Sequence, residues 1–145
     1  MFTEELLSIL VDAGVGTLAT GTNPPPFSLF SSSKSQIPGG SGPFLSVTET
    51  GGSGPEGTHN STKMPAYQRP NAQLVVRAST YAVARAMAMA AYAALFPVRN
   101  RFVMGCWWRQ VIILQEPFDM GLDATSRATC GFNIAVTKRP NAAMS

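Results

Sequence analysis

The residues best able to do chemistry in this 145-residue chain are few and scattered. The single histidine, His59, stands in a stretch of Gly, Ser, Thr and Pro. A catalytic imidazole needs a proton partner and a group that orients it. Neither stands beside His59, so it reads as a solvated loop residue. The run GGSGPEG is glycine-rich like a phosphate loop, but it lacks the Gly-Lys-Ser/Thr that would hold phosphate and magnesium. Asp119 and Asp123 flank Gly121 without the rest of a calcium loop, and they read as hairpin residues. Cys106 and Cys130 form no CxxC. Two thiols and one distant histidine do not make a zinc site, so buried free thiols are expected. Asn60-Ser-Thr62 fits a glycosylation acceptor, a pattern common by chance. No GxSxG is present. These residues predict neither an enzyme nor a cofactor.

Binding chemistry has more candidates. Trp107 and Trp108 could stack on bases. Neighbours on a strand face opposite ways, however, so one tryptophan is expected in the core and the other at an interface. The formal net charge is +3, with no run of Lys or Arg, so sequence alone indicates no dedicated nucleic-acid patch. Arg69, Arg77, Arg99, Arg101, Arg109, Lys138 and Arg139 could still gather in three dimensions as a basic nucleic-acid-binding module. Charged residues make up 13% of the chain, about half of the usual ~25%. A surface so poor in charge is what an assembly covering much of it would produce. The start, MFTEELL, lacks the basic-then-apolar layout of a secretory signal.

These residues hang on a central stretch, Tyr67 to Phe96. Ala72, Leu74, Val76 and Ala78 alternate with Gln73, Val75 and Arg77, the period of two that marks a strand with one face on a core. Ser79 or Thr80 can cap a following helix, which stops before Pro97. Eight of the seventeen residues from Thr80 to Phe96 are alanine and only Arg85 is charged. A surface helix normally keeps a charged face toward water, and a membrane span needs about 20 apolar residues. The favoured arrangement places the sheet on one side of this helix and another subunit on the other.

Around that centre, Thr3 to Ala13 predicts a first helix, with Thr3 as cap, Glu4 and Glu5 at the positive end of its dipole, and Gly14 as terminator. Phe44 to Glu49, Trp107 to Glu116 and Thr129 to Lys138 predict strands, with Phe27 to Phe30 as a short candidate. The apolar run Val111 to Leu114 implies cover on both faces. Arg101 to Met104 reads as a brief extended piece and Pro117 to Arg127 as a turn or hairpin loop. The length fits one domain, 1–145, with a long Gly/Ser-rich loop at 50–66 and a frayed tail at 140–145. The expected fold is α+β: a mostly antiparallel or mixed sheet of four to five strands with two helices packed on one face.

Tyr67-x-Arg69-Pro70, Gln73-x-Val75-x-Arg77, Tyr81-x-x-Ala84 and Tyr92-x-x-Leu95, with Gln115-x-Pro117-Phe118 and Gly121, make the span Tyr67 to about Lys138 resemble the phage minor capsid or tail terminator family. Residues 23–42 depart from that pattern. The resemblance implies a virion protein of the head–tail junction, assembled in the host cytoplasm: a ring, commonly of six subunits, that caps the tail tube and stops its polymerisation. Implied partners are a second copy of the chain, the tail tube protein, a head–tail connector or neck protein, and genome DNA passing through the lumen without sequence readout; no membrane is involved. A head completion or neck connector protein is the alternative. Interface residues expected on this reading are Tyr81, Arg85, Met89, Tyr92, Trp107 and Trp108 within the ring. Glu56 and His59 in the loop, and Asp119 and Asp123 in the hairpin, would meet neighbouring rings.

Overall fold

The structure, a computed structural model, describes residues 2–18, 27–30, 43–51, 68–122 and 127–139. Helix α1 spans Phe2–Asp12. Its end is set by Gly14, whose φ of 78° is open to glycine at no steric cost. Gly14 N–H donates to Val11 C=O and Val15 N–H to Leu10 C=O, both at 3.0 Å. This paired pattern satisfies carbonyls at the helix end. Thr3 lies inside the helix and is buried, rather than standing at its cap.

Strands β1 (Thr17–Leu18), β2 (Ser28–Phe30), β3 (Phe44–Thr50) and β4 (Asn71–Ala78) follow. Helix α2 (Tyr81–Leu95), β5 (Arg99–Val103), β6 (Cys106–Ile113), β7 (Phe118–Leu122) and β8 (Ala128–Lys138) complete the order. They form one mixed sheet, β1-β2-β3-β4-β8-β6-β5, with β7 also paired to β8. β1, β2 and β3 run parallel, and every other pairing is antiparallel. β8 is long enough to serve three partners. β4 runs along one edge, while β7 takes its first half and β6 its second half on the other.

The expected sheet of four to five strands is therefore wrong: the described residues hold eight, in a mixed half-barrel. The extra strands are short. β1 and β2 have two and three residues, too few to show a period. β5, expected only as a brief extended piece over Arg101 to Met104, covers Arg99–Val103, and its turn obscures it: Met104 and Gly105 both have positive φ, 50° and 83°, as the primed two-residue hairpin turn requires. Methionine is an unusual residue there, so the hairpin has no sequence signature. The expected loop 117–127 contains β7, bent at a bulge between Asp119 and Gly121.

Both helices pack on one face. β4 presents Ala72, Leu74, Val76 and Ala78 to them, and β8 presents Cys130, Phe132, Ile134 and Val136, all of them buried. Thr80 caps α2, its side chain accepting from Val83 N–H at 3.4 Å. Ala84, Met87, Ala88, Ala91 and Leu95 form the buried stripe of α2. The helix crosses β8 and β6 to deliver the chain to β5 at the sheet edge. Alanine on that stripe lets its backbone lie close to the strands.

Gly131 marks a close backbone approach between β8 and β4. A Cβ there would sit 2.3 Å from the Leu74 carbonyl oxygen and 2.9 Å from Met120 Sδ. The carbonyl belongs to the paired backbone and cannot swing away. Gly131→Ala is expected to cost about 1–3 kcal/mol, read as a lower denaturant midpoint at unchanged slope.

Candidate functional site

Three features of the described residues could carry function. The first is a buried polar cluster. Glu5, only 1% exposed, projects from α1 toward β6 and β8. Its Oε2 accepts from Lys138 Nζ at 2.7 Å and its Oε1 from Trp108 Nε1 at 2.9 Å. Phe2 stacks on Trp108 with centroids 5.7 Å apart, and Lys138 Nζ lies 5.9 Å from the Phe2 ring centre. Burial pushes the Glu5 carboxyl up. Hydrogen bonds from Lys138, Trp108 and Cys106, together with the Lys138 charge, outweigh it and leave the carboxyl below its usual range. Burial, reinforced by the hydrogen bond to Glu5, pushes the Cys106 thiol up. Burial likewise raises Cys130. A thiol held protonated is a poor nucleophile and a poor metal ligand. Cys106 begins β6, two residues before the Trp108 that pairs with Lys138, whereas Cys130 lies near the start of β8, so the two are roughly 30 Å apart at about 3.3 Å per strand residue. The cluster ties α1 to the sheet, and Glu5, Trp108 and Lys138 are all buried in it.

The second feature is the outer face of α2. Ala82, Val83, Ala86, Ala90 and Ala93 are exposed along one side. Arg85, the one charge of the helix, is turned to the flank, where its Nη1 donates to the Pro117 carbonyl at 3.2 Å and lies 3.5 Å from Tyr81 Oη. A groove of about 420 Å³ runs beside this face, lined by Gly14, Val15, Gly16, Phe27, Ala86, Met87 and Ala90. Phe27 is half exposed at its rim with a φ of 65°, a conformation a bulky residue adopts only when its surroundings enforce it.

The third feature is the β5–β6 hairpin, where exposed Phe102 meets half-buried Trp107 edge to face at 4.7 Å.

The expected interface residues separate accordingly. Trp108 is fully buried on Glu5, out of a partner's reach, while Trp107 lies on the opposite face. Tyr81 and Arg85 are exposed and Met89 is half-buried. Tyr92 donates its hydroxyl to Glu116 at 3.3 Å; burial and the neighbouring carboxylate push the phenol up. Asp119 is exposed and its Oδ1 accepts from Gly121 N–H at 2.8 Å, fixing the β7 bulge. Glu56, His59 and Asp123 lie outside the described residues, as does most of the loop 50–66.

The basic residues do not form one patch. Lys138 is consumed by Glu5. Arg101 meets Asp12 at 3.5 Å on the helix side of the sheet, and Arg77 lies over the Phe44 ring at 5.9 Å. Both faces of the run Val111 to Leu114 were expected to be covered, yet Ile112 and Leu114 are 47% and 52% exposed. With Phe118 and Leu122 they add a further exposed apolar surface.

Sequence reasoning missed Glu5 as a core residue. The signal was its place on the apolar stripe of Phe2, Leu6 and Ile9, where a carboxylate must find a cation. Among the described residues no group of His, Cys, Asp and Glu could hold a metal, and no helix is long and apolar enough to cross a membrane. No family model matches the chain, and no curated protein matches it.

Proposed function

We propose that this chain is a structural subunit that assembles with copies of itself, and that the assembly is a ring of the tail-terminator kind its sequence resembles. The observation carrying the self-assembly is the outer face of α2, exposed and free of charge over Ala82, Val83, Ala86, Ala90 and Ala93. Water-facing helices carry charge on that side, and here the one available arginine is spent on Pro117. A stripe of alanines beside a groove suits close approach of another subunit's apolar side chains. Exposed Ile112, Leu114, Phe118 and Leu122 offer a second apolar surface, at which a neighbouring ring or tube would dock. On this reading the protein does its work through surfaces and uses no reactive group.

The terminator reading is tested by adding purified protein to isolated tail tubes and, separately, to portal-bearing heads. Capture by tubes and arrest of their growth is the expected result. Capture by heads alone would replace it with the connector reading, and indifference to both would remove the phage assignment.

A further inference from the structure

β6 and β7 lie end to end along one edge of β8. Ile113 pairs with Ile134 and Phe118 with Gly131. Between those pairs β8 has two residues, Phe132 and Asn133, against the four of residues 114–117, so the connection has to leave the strand line. Leu114 N–H donates to the Asn133 carbonyl at 2.9 Å, and Gln115 Oε1 accepts from Asn133 N–H at 2.9 Å. The backbone of Asn133 is satisfied in this way without a paired strand residue, and the rest of the connection turns onto α2. There Pro117 is buried and its carbonyl accepts from Arg85 Nη1 at 3.2 Å. Glu116 Oε1 accepts from the Tyr92 hydroxyl at 3.3 Å.

β7, which follows, is held on one side. β8 is its one partner strand among the described residues. The pairing is interrupted by the bulge between Asp119 and Gly121, and four of the five residues of β7 are exposed. β4, by contrast, pairs with β8 at eight consecutive positions, and the helix-side residues of both strands are buried. Segments with few buried contacts and exposed hydrogen bonds open first.

We infer that residues 115–122 form a strap that lifts from β8 as a unit while the rest of the sheet stays closed, and that Arg85 and Tyr92 of α2 latch it shut. Phe118 pairs with Gly131 and Ile112 with Ala135, positions of the same parity on β8, so both side chains stand on the outer face. With the strap shut they belong to one exposed apolar surface; once it lifts, Phe118 leaves that surface. Two side chains of α2 thereby set whether the surface is complete. That consequence rests on the docking role proposed for the surface; the opening itself does not, and it needs no second copy of the chain.

The test is residue-resolved hydrogen–deuterium exchange on the full chain. In wild type, the β7 amides bonded to β8 should exchange at least about 100-fold faster than those of the β4–β8 ladder. Arg85→Ala combined with Tyr92→Phe removes both latch bonds and keeps the ring at position 92 against Phe96 and Phe132. It should raise the ratio of the two rates by a further 5- to 30-fold or so, roughly the effect of two hydrogen bonds. A general loss of stability raises both rates and so does not imitate that change. The inference is overturned if the wild-type β7 amides exchange as slowly as the β4–β8 ladder. It is equally overturned if the double variant leaves the ratio at its wild-type value, whether neither set of amides speeds up or both do so alike.

Discussion

Ala91→Arg should yield no folded protein, while Ala90→Arg, one residue away, should yield a stable monomer. Ala91 has no exposed surface and lies on the stripe of α2 that meets the sheet. An arginine there forces about 1–3 kcal/mol or more of overpacking. It also strands a charge whose burial costs several kcal/mol when unpaired. Together these approach the whole stability of a domain, about 5–15 kcal/mol. The expected outcome is insoluble protein, or a soluble fraction with no cooperative thermal transition. Ala90 lies on the exposed side, where a charge changes stability by about 0.5 kcal/mol or less. The pair separates two roles that the apolar composition of α2 confounds, since a substitution on the buried stripe tests folding and only one on the outer face tests assembly. A cooperative melt from Ala91→Arg would show that the stripe is not closed against the sheet.

The second large effect belongs to Glu5. Glu5→Leu leaves Lys138 buried without its carboxylate and is expected to cost about 3–5 kcal/mol, a fall of roughly 10 °C in melting temperature for a chain of this size. Lys138→Met added to it should recover part of the loss, because two apolar side chains no longer strand a charge. Recovery stays incomplete because Trp108 Nε1–H still lacks its acceptor, a penalty of about 1–3 kcal/mol. The pH dependence follows from the lowered carboxyl. A group with a depressed folded value contributes its stability above its unfolded value, about 4.3, and loses it as pH falls through the folded value below that. Acid unfolding of wild type should therefore steepen below about pH 4.3, and Glu5→Leu should flatten that limb. An unchanged acid limb in Glu5→Leu would mean that the cluster does not bind its proton linkage to folding.

Periodicity revealed the parts of the fold that are long. β4 alternates over Ala72, Leu74, Val76 and Ala78, and β8 over Cys130, Phe132, Ile134 and Val136, and these faces are the buried ones. Thr80 and Gly14 marked helix ends because cap chemistry is local. The sheet's full width was illegible for equally physical reasons. β1 and β2, with two and three residues, are too short for a period of two to repeat convincingly. The sequence therefore predicts no β1, and β2 only as the short candidate Phe27 to Phe30. The β5–β6 turn uses Met104 where Asn would have announced it. The run Val111 to Leu114 misled because β6 is apolar on both faces while only one is covered. Of the candidate sites, the charge-poor helix α2, with Arg85 its one charge, was visible in composition. The exposed Phe102 against Trp107 depends on the pairing of β5 with β6 and could only come from the register.

The most direct test of assembly is the solution mass of wild type and Ala90→Arg by light scattering, each alone and with the tail tube protein. The account predicts wild type at a multiple of the 15.4 kDa chain, alone or once the tube protein is added, and Ala90→Arg folded at the mass of one chain in both conditions. Wild type that stays monomeric in both conditions, or Ala90→Arg that assembles as wild type does, would contradict it.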